Sequence, residues 1–480
     1  MRVSEQGYGN ASGRDEDPVV VVGAGPVGLA AAAELLQRGI EPLVLERGPQ
    51  AGAAVAEWGH VRLFSRWSEV VAPAARRLLE ARGWADPDAD AYPTDSCPAD
   101  SRPTWAYPTA AQWSDGYLRP LAAALGDRVR VDAEVTGVAR RGRDRVVDAG
   151  RESEPLTVHV RTPHGEERIT ARAVIDASGT WHTPNPLGGD GLPAAGERNA
   201  ADRITHHLPD LSDPELRRRY AGRHVVVAGS GHSALTALIG FDELAAERPD
   251  TRITWLLRRG RLGDTFGGGA ADQLPARGAL GDRARAAVEA GRIAVETGFR
   301  TDVVERDDHG RLSLATVDGR RVSDVDEVVA LTGFRPDLSW LSEVRLELDT
   351  TLQAPVRLAP LIDPNVHSCG TVYPHGAAEL AHPEPGVYLA GMKSYGRAPT
   401  FLAMTGYEQV RSIAAELAGD TESARRVELT LPETGVCAGS GLADLQADGH
   451  AGEQPDEAAG GCCEAPAETT ETAVPARAAR

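Results

Sequence analysis

A doubly wound α/β fold is predicted, made of two Rossmann-like units with the second inserted into the first. Three observations lead there. Two glycine-rich turns occur, Gly23-Ala24-Gly25-Pro26-Val27-Gly28 and Gly229-Ser230-Gly231-His232-Ser233-Ala234. Each follows a β-branched run, Val19 to Val22 and Val225 to Val227, of the kind that makes a strand buried on both faces of a parallel sheet. The next strand of each unit ends in a charge, and the two charges are opposite: Glu46 after Leu43 to Leu45, Arg258-Arg259 after Ile253 to Leu257.

The glycines have separable duties. Gly23 and Gly229 permit the tight turn, Gly25 and Gly231 let a pyrophosphate approach the backbone, and Gly28 and Ala234 let the next helix pack on the sheet. The helices predicted over Leu29 to Arg38 and Ala234 to Glu247 aim their N-termini at the same anion. A carboxylate at the strand end accepts hydrogen bonds from a bare ribose hydroxyl, whereas arginine pairs with a 2′-phosphate. The first turn with Glu46 is therefore expected to hold FAD. The second, comprising Gly229, Ser230, Gly231, His232, Ser233 and Ala234 with Arg258 and Arg259, is expected to hold NADPH. A glycine turn alone is weak evidence in a chain with 52 glycines; the flanking strand, helix and charge give it weight.

The remaining elements follow in order. A helix is expected around Ala74 to Arg82 and another over Gln112 to Leu125. Strands are expected at Val129 to Val138, Leu156 to Val160 and Ala173 to Asp176, the last running into Ala177-Ser178-Gly179-Thr180. Val328 to Leu331 leads into Thr332-Gly333. Val387-Tyr388-Leu389-Ala390-Gly391 is a strand entering a turn, and Leu402 to Leu417 reads as a helix. The expected division is 1–17 disordered, 18–194 first part of the FAD unit, 195–325 NADPH unit, 326–430 second part of the FAD unit, and 431–480 an acidic flexible tail. That tail has few large apolar residues to offset the entropy of ordering.

Composition narrows the function classes. The net charge of −19 argues against a nucleic-acid partner and an anionic membrane surface. No run approaches the ~20 apolar residues a bilayer span needs, and the polar start of the chain lacks an apolar signal segment, so a cytoplasmic location is expected. Five scattered cysteines (Cys97, Cys369, Cys437, Cys462, Cys463) make no secreted disulfide framework.

With these features in place, residues 18 to 420 resemble the two-dinucleotide-domain flavoprotein oxidoreductases, and within them the flavin-containing monooxygenase-like branch. The likeness rests on the two turns, Glu46, the crossovers Ala177-Ser178-Gly179 and Leu331-Thr332-Gly333, and the late Tyr388-Leu389-Ala390-Gly391. A narrower resemblance, to flavoproteins associated with arsenic resistance in actinobacteria, rests on Phe266 to Gly278, Gly391 to Leu402 and the cysteine-bearing tail. The resemblance implies further FAD contacts at Arg47, Val135, Gly179, Gly391 and Met392. Two departures stand out: Met392-Lys393 follows Gly391 where the family usually has an aspartate, and the linker before the second turn lacks a clean Phe-x-Gly-x-x-x-His pattern.

Lys393 is the only lysine in the chain. Beside a flavin, its ammonium is the candidate catalytic charge; the plainer alternative is a surface lysine. Cys462-Cys463 is a candidate soft-metalloid ligand pair, against two idle thiols. His206-His207, His367 and His375 lack metal-ligand spacing and read as packing or surface residues, and Trp58, Phe64, Trp67, Trp105 and Trp113 read as core before pocket lining. The expected function is an FAD- and NADPH-dependent oxidoreductase, a monooxygenase using O₂ on a small soft-nucleophile or metalloid-related substrate. The alternatives are a disulfide reductase using the tail cysteines and a non-catalytic redox-sensing or metalloid-sequestering flavoprotein.

Overall fold

The computed structural model describes residues 17–85, 87, 107–267, 269, 275–366, 375–399 and 401–429. All five cysteines, His367, Trp105 and the predicted tail lie outside the described residues, as does part of the Phe266 to Gly278 segment.

Two five-stranded parallel sheets organise the chain. The first contains β1 (Val19–Val22), β2 (Pro42–Leu45), β3 (Val129–Arg130), β7 (Ala173–Asp176) and β16 (Val387–Leu389), in the order β16-β7-β1-β2-β3. Between β3 and β7 an antiparallel meander is formed by β4 (Glu134–Arg140), β5 (Leu156–Thr162) and β6 (Gly165–Ala171). The second sheet contains β8 (Ile204–Thr205), β9 (His224–Ala228), β10 (Arg252–Leu256), β11 (Ala294–Glu296) and β15 (Glu327–Ala330), in the order β11-β10-β9-β15-β8. Its own meander is β12 (Thr301–Arg306), β13 (Leu312–Thr316) and β14 (Arg321–Val325).

Each parallel sheet is covered on both faces, which is why its strands read as unbroken apolar runs rather than alternating ones. Helices Pro26–Gln37 and Ala403–Leu417 cover one face of the first sheet. The meander β4–β6 and Leu341 and Val344 cover the other. The second sheet repeats the plan, with helices His232–Glu247 and Pro275–Glu289 on one face and β12–β14 on the other.

Local differences from expectation have physical causes. The helix expected over Gln112 to Leu125 is interrupted by a π-helical turn, Ser114–Leu118. Pro120 lacks an N–H to close the regular ladder there, and the wider turn absorbs the loss. β15 pairs in parallel with β9, Val328 beside Val226, so residues 327–330 belong to the second sheet and the return to the first begins after them. The pairing of residues 327–330 with β9 lies beyond the expected 325/326 boundary.

The two connections between the units zip together. Pro184 bridges Phe334 antiparallel, Asn185 N–H donates to the Gly333 carbonyl at 2.9 Å, and Arg335 N–H donates to the Thr183 carbonyl at 2.9 Å. The Thr332 hydroxyl donates to the Asn185 carbonyl at 2.7 Å. The chain leaves and re-enters the first unit through one paired ribbon.

Candidate functional site

In open parallel sheets ligands lie beyond the carboxyl ends of the strands, where neighbouring connections diverge. β1 and β9 occupy that position, each flanked by a strand on either side, and each runs into a glycine turn.

At the first turn, Gly23 has φ +98° and its back lies against the crossover: a Cβ there would sit 2.9 Å from the Ala177 carbonyl oxygen. A Cβ on Gly28 would collide with the Gly23 carbonyl. Gly25 is different, since a Cβ there would meet nothing within 4 Å. The second turn repeats the division. Gly229 has φ +131° and no room for a Cβ against the Leu331 carbonyl, while Gly231 faces open space. Ala234, in the first turn of helix His232–Glu247, is fully buried. Each turn thus has one tightly backed glycine and one open backbone face, and helices His232–Glu247 and Pro26–Gln37 begin there with unsatisfied N–H groups. Pro26 at the first helical position has no N–H to leave unpaired.

Glu46 directly follows β2. One carboxylate oxygen accepts from Ala24 N–H and the other from Gly48 N–H, each at 2.8 Å. A carboxylate has about four acceptor positions, so each oxygen keeps capacity for a ribose hydroxyl while the carboxylate is held against the glycine turn. Arg47 beside it is exposed. Val135 in β4 packs at the edge of the core beneath the meander, and Gly179, with φ +70°, has open space at its Cβ position.

At the end of β10 the sign reverses. Arg258 and Arg259 stand near Arg300, and Arg258 is held below its usual pKa by desolvation first and then by Arg259 and Arg300. Arg258 is solvent-exposed, so the two neighbouring cations are the cause that bears on binding. None of the three guanidinium groups has a carboxylate partner among the described residues. A concentration of unpaired cations beside a phosphate-binding turn suits a second phosphate. Arg300 was not visible as a site residue: it lies after β11, and only the sheet order places it near β10.

Gly391 opens the turn after β16 with φ +70°, and its N–H donates to the Gln409 side chain at 2.8 Å. The Gln409 amide donates in turn to Ser394 and pairs with the buried His375, 2.8 Å in both cases. This fastens the turn Gly391–Tyr395 to helix Ala403–Leu417. Met392 is half-buried in the same turn. Lys393 is 1 % exposed, and its ammonium lies 2.7 Å from Asp176 Oδ2 and donates to Ser178 Oγ at 3.0 Å. The Trp340 ring covers it at 4.8 Å. The surface-lysine alternative is excluded, and the charge is delivered as a neutral pair rather than as a free cation.

Trp67 and Trp113 are core residues, as expected. Trp58 also packs against that core, half-buried, and Phe64 lies outside it. Phe64 packs edge-on against His232 at 5.4 Å, on the second glycine turn, and Trp58 lies 6.3 Å from Trp181 on the outgoing crossover. Trp181 also stacks on His207 at 4.3 Å and Phe334 at 5.0 Å. His206 approaches Glu197 at 3.8 Å. Among the described residues no group of three or more histidine, cysteine, aspartate or glutamate side chains is placed to hold a metal.

A family model for the pyridine nucleotide-disulphide oxidoreductases matches residues 20–357. The chain belongs to that family. Over 216 residues this oxidoreductase is 30% identical to the indole-3-pyruvate monooxygenase YUCCA1 of Oryza sativa subsp. japonica, a match covering 45% of the chain and 43% of that relative. The chain therefore spans less than half the length of the curated relative.

Among solved structures the oxidoreductase is similar to the bacillithiol disulfide reductase of Bacillus cereus, with a TM-score of 0.59 and 21% identity over 84% of this chain and 99% of the other. It is similar to DfoA, the FAD-bound cadaverine monooxygenase of Erwinia amylovora (TM-score 0.58, 12% identity, 86% and 98% covered). It is also similar to the ornithine N-hydroxylase of Kutzneria sp. 744 (TM-score 0.52, 18% identity, 85% and 100% covered). At these identities the likeness is one of fold: two dinucleotide-binding units, one inserted in the other. No helix among the described residues is long and apolar enough to cross a membrane.

Proposed function

We propose that this oxidoreductase holds FAD on the first glycine turn, accepts hydride from NADPH held on the second, and oxygenates a small organic substrate with O₂. One observation carries the reading. The two turns have the same open second glycine, Gly25 and Gly231, yet are followed by opposite charges, Glu46 and the Arg258, Arg259 and Arg300 cluster. Two pyrophosphate cradles with complementary ribose readers need two different dinucleotides.

The residues divide the work. Gly23, Gly25, Pro26 and Gly28 would hold the FAD pyrophosphate and Glu46 its ribose, with Arg47, Val135, Gly179, Gly391 and Met392 along the rest of that ligand. Gly229, Ser230, Gly231, His232, Ser233 and Ala234 would hold the nicotinamide nucleotide, and Arg258, Arg259 and Arg300 its 2′-phosphate. Flavin, when bound, supplies the redox chemistry, while the protein supplies orientation and electrostatics. Lys393 acts with Asp176 as a positioning pair that fixes the turn Gly391–Tyr395 against the crossover.

Oxygenation is favoured over disulfide reduction because the sequence contains no Cys-x-x-Cys dithiol; its cysteines are Cys97, Cys369, Cys437 and the adjacent Cys462-Cys463. A metalloid role for Cys462-Cys463 is a separate proposal resting on sequence alone, and unchanged trivalent-arsenic affinity after deletion of 431–480 removes it. The main reading is tested by the visible spectrum of the purified chain, anaerobic titration with NADPH and NADH, and readmission of air. A yellow protein bleached preferentially by NADPH and reoxidised by air supports it. A chain that takes up no flavin on reconstitution overturns it.

A further inference from the structure

The two glycine turns share one register but differ at two equivalent positions. In the first unit β2 sets Val44 beside Val21, two residues before Gly23. In the second, β10 sets Trp255 beside Val227, two residues before Gly229. The turns are then tied alike: Gly23 N–H donates to the Leu45 carbonyl at 2.8 Å, and Gly229 N–H to the Leu256 carbonyl at 3.2 Å. Trp255 therefore stands where the first unit has Val44.

The last small residue of the turn differs as well. Gly28 has no room for a Cβ, because the Gly23 carbonyl lies against it. Its counterpart is Ala234, which carries that Cβ and is fully buried. A second turn with the shape of the first would clash, so the Gly229 carbonyl must point elsewhere. Gly229 has φ +131° where Gly23 has φ +98°. The Trp255 indole N–H donates to the Gly229 carbonyl at 2.7 Å. Valine at the same register has no donor to offer.

The indole is itself held in place. Trp255 is fully buried in the core that contains Ala234 and Leu238 of helix His232–Glu247. Phe266 packs against it with ring centroids 5.8 Å apart, and the Arg285 guanidinium lies over the Phe266 ring at 5.3 Å. Gly281 of helix Pro275–Glu289 fits against the Phe266 carbonyl with no room for a Cβ. A buried tryptophan N–H ordinarily finds an acceptor, and here the acceptor is the tightest residue of the turn.

We propose that Trp255 is a positioning residue for the second dinucleotide. Its indole N–H draws the Gly229 carbonyl aside, so that Ala234 fits beneath the turn and the open backbone face at Gly231 is presented to the pyrophosphate. The inference rests on the reading of this turn as the nicotinamide-nucleotide site. Because the pyrophosphate is common to NADPH and NADH, Trp255 serves both alike, unlike the arginine cluster at the end of β10.

Calorimetric titration of the full-length, FAD-loaded chain with NADP⁺ and with NAD⁺ tests it. Trp255→Phe keeps an aromatic ring and removes the N–H; it is expected to weaken both nucleotides about fivefold to tenfold with their ratio unchanged. The FAD content is expected to stay at the wild-type level. Adding Ala234→Gly is expected to restore most of the loss, because the second turn is then free to take the shape of the first. Unaltered binding by Trp255→Phe, a changed ratio of the two nucleotides, or an undiminished loss in the double variant overturns the proposal. Where circular dichroism finds Trp255→Phe unfolded, NMR of the chain carrying isotope-labelled tryptophan reads the contact directly. One indole N–H resonance is expected to move both in Ala234→Gly and on adding either nucleotide to the wild type, and the lack of such a resonance overturns the proposal. A wild-type chain that binds neither nucleotide defeats the coenzyme reading of the second turn as well, whereas wild-type binding with indifferent variants defeats the role of Trp255 alone.

Discussion

Lys393 and Asp176 meet at 2.7 Å across the carboxyl edge of the first sheet, each 1 % exposed or less. Asp176 ends β7 at the start of the outgoing crossover, and Lys393 lies in the turn after β16, so one ion pair joins the strand end to the turn. Ser178 completes it by donating to Asp176 Oδ1 at 2.6 Å while accepting from the ammonium. Removing one partner of such a buried pair leaves the other charged and desolvated.

Lys393→Met is therefore expected to destabilise the protein by about 3–5 kcal/mol in chemical denaturation. Lys393→Met combined with Asp176→Leu is expected to recover a large part of that loss. Equal stability of the single variant and the wild type contradicts the pairing. If the pair positions the turn beside the flavin, Lys393→Arg retains the flavin's absorption envelope while the double variant shifts it.

Gly25 and Gly28 differ in what surrounds them, and their alanine variants separate accordingly. Gly25→Ala is expected to fold, since its backbone has φ −79° and its Cβ position is empty, but to lose FAD affinity at least about tenfold. Gly28→Ala, placed against the Gly23 carbonyl, is expected to fail to fold or to lose the flavin entirely. Fluorescence titration of FAD into the apoprotein, with circular dichroism alongside, checks both.

The arginine cluster makes a prediction about nucleotide choice. Arg258→Ala and Arg300→Ala are each expected to raise KM for NADPH about tenfold to a hundredfold, the value of one charge-assisted bond of ~1.5–3 kcal/mol. KM for NADH should change little. A parallel loss for both nucleotides in steady-state reduction assays assigns these residues to something other than the 2′-phosphate.

Burial drives the His382 pKa down to about 4, against the opposing effect of the Glu347 N–H, which donates to its Nδ1 at 3.2 Å; its buried Nε2 has no hydrogen-bond partner among the described residues. The folded value lies below the ordinary ~6.5 of the unfolded chain, so the unfolded state binds more protons between those limits. The stabilising effect of the neutral ring is complete above about 6.5 and is lost as pH falls toward 4, by up to about 1.4 kcal/mol per unit. His382→Gln should flatten that part of the stability curve in urea melts. An unaltered slope shows that other groups dominate it.

Much of this was legible in the chain. The runs Val19 to Val22 and Val225 to Val227 became β1 and β9 because only continuous β-branched sequence fits a strand covered on both faces. Ala173–Asp176 was bounded correctly, and the helices at Pro26–Gln37 and Ala403–Leu417 differed from expectation only at their ends. The meanders were legible only in part, because β6 and β14 each bury a single residue and give a weak periodic signal. Phe64 reads as core in the sequence but packs against His232, because sequence cannot distinguish a core aromatic from one at a seam between units.

By itself, then, the sequence determined two nucleotide turns of opposite preference, since those depend on glycine, strand and charge within a few dozen residues of one another. Only the tertiary structure decided that Arg300 joins Arg258 and Arg259, that Lys393 meets Asp176, and that the Trp255 indole reaches Gly229. Those relationships depend on sheet order and on the paired crossovers, which bring distant segments together through packing that no local pattern encodes.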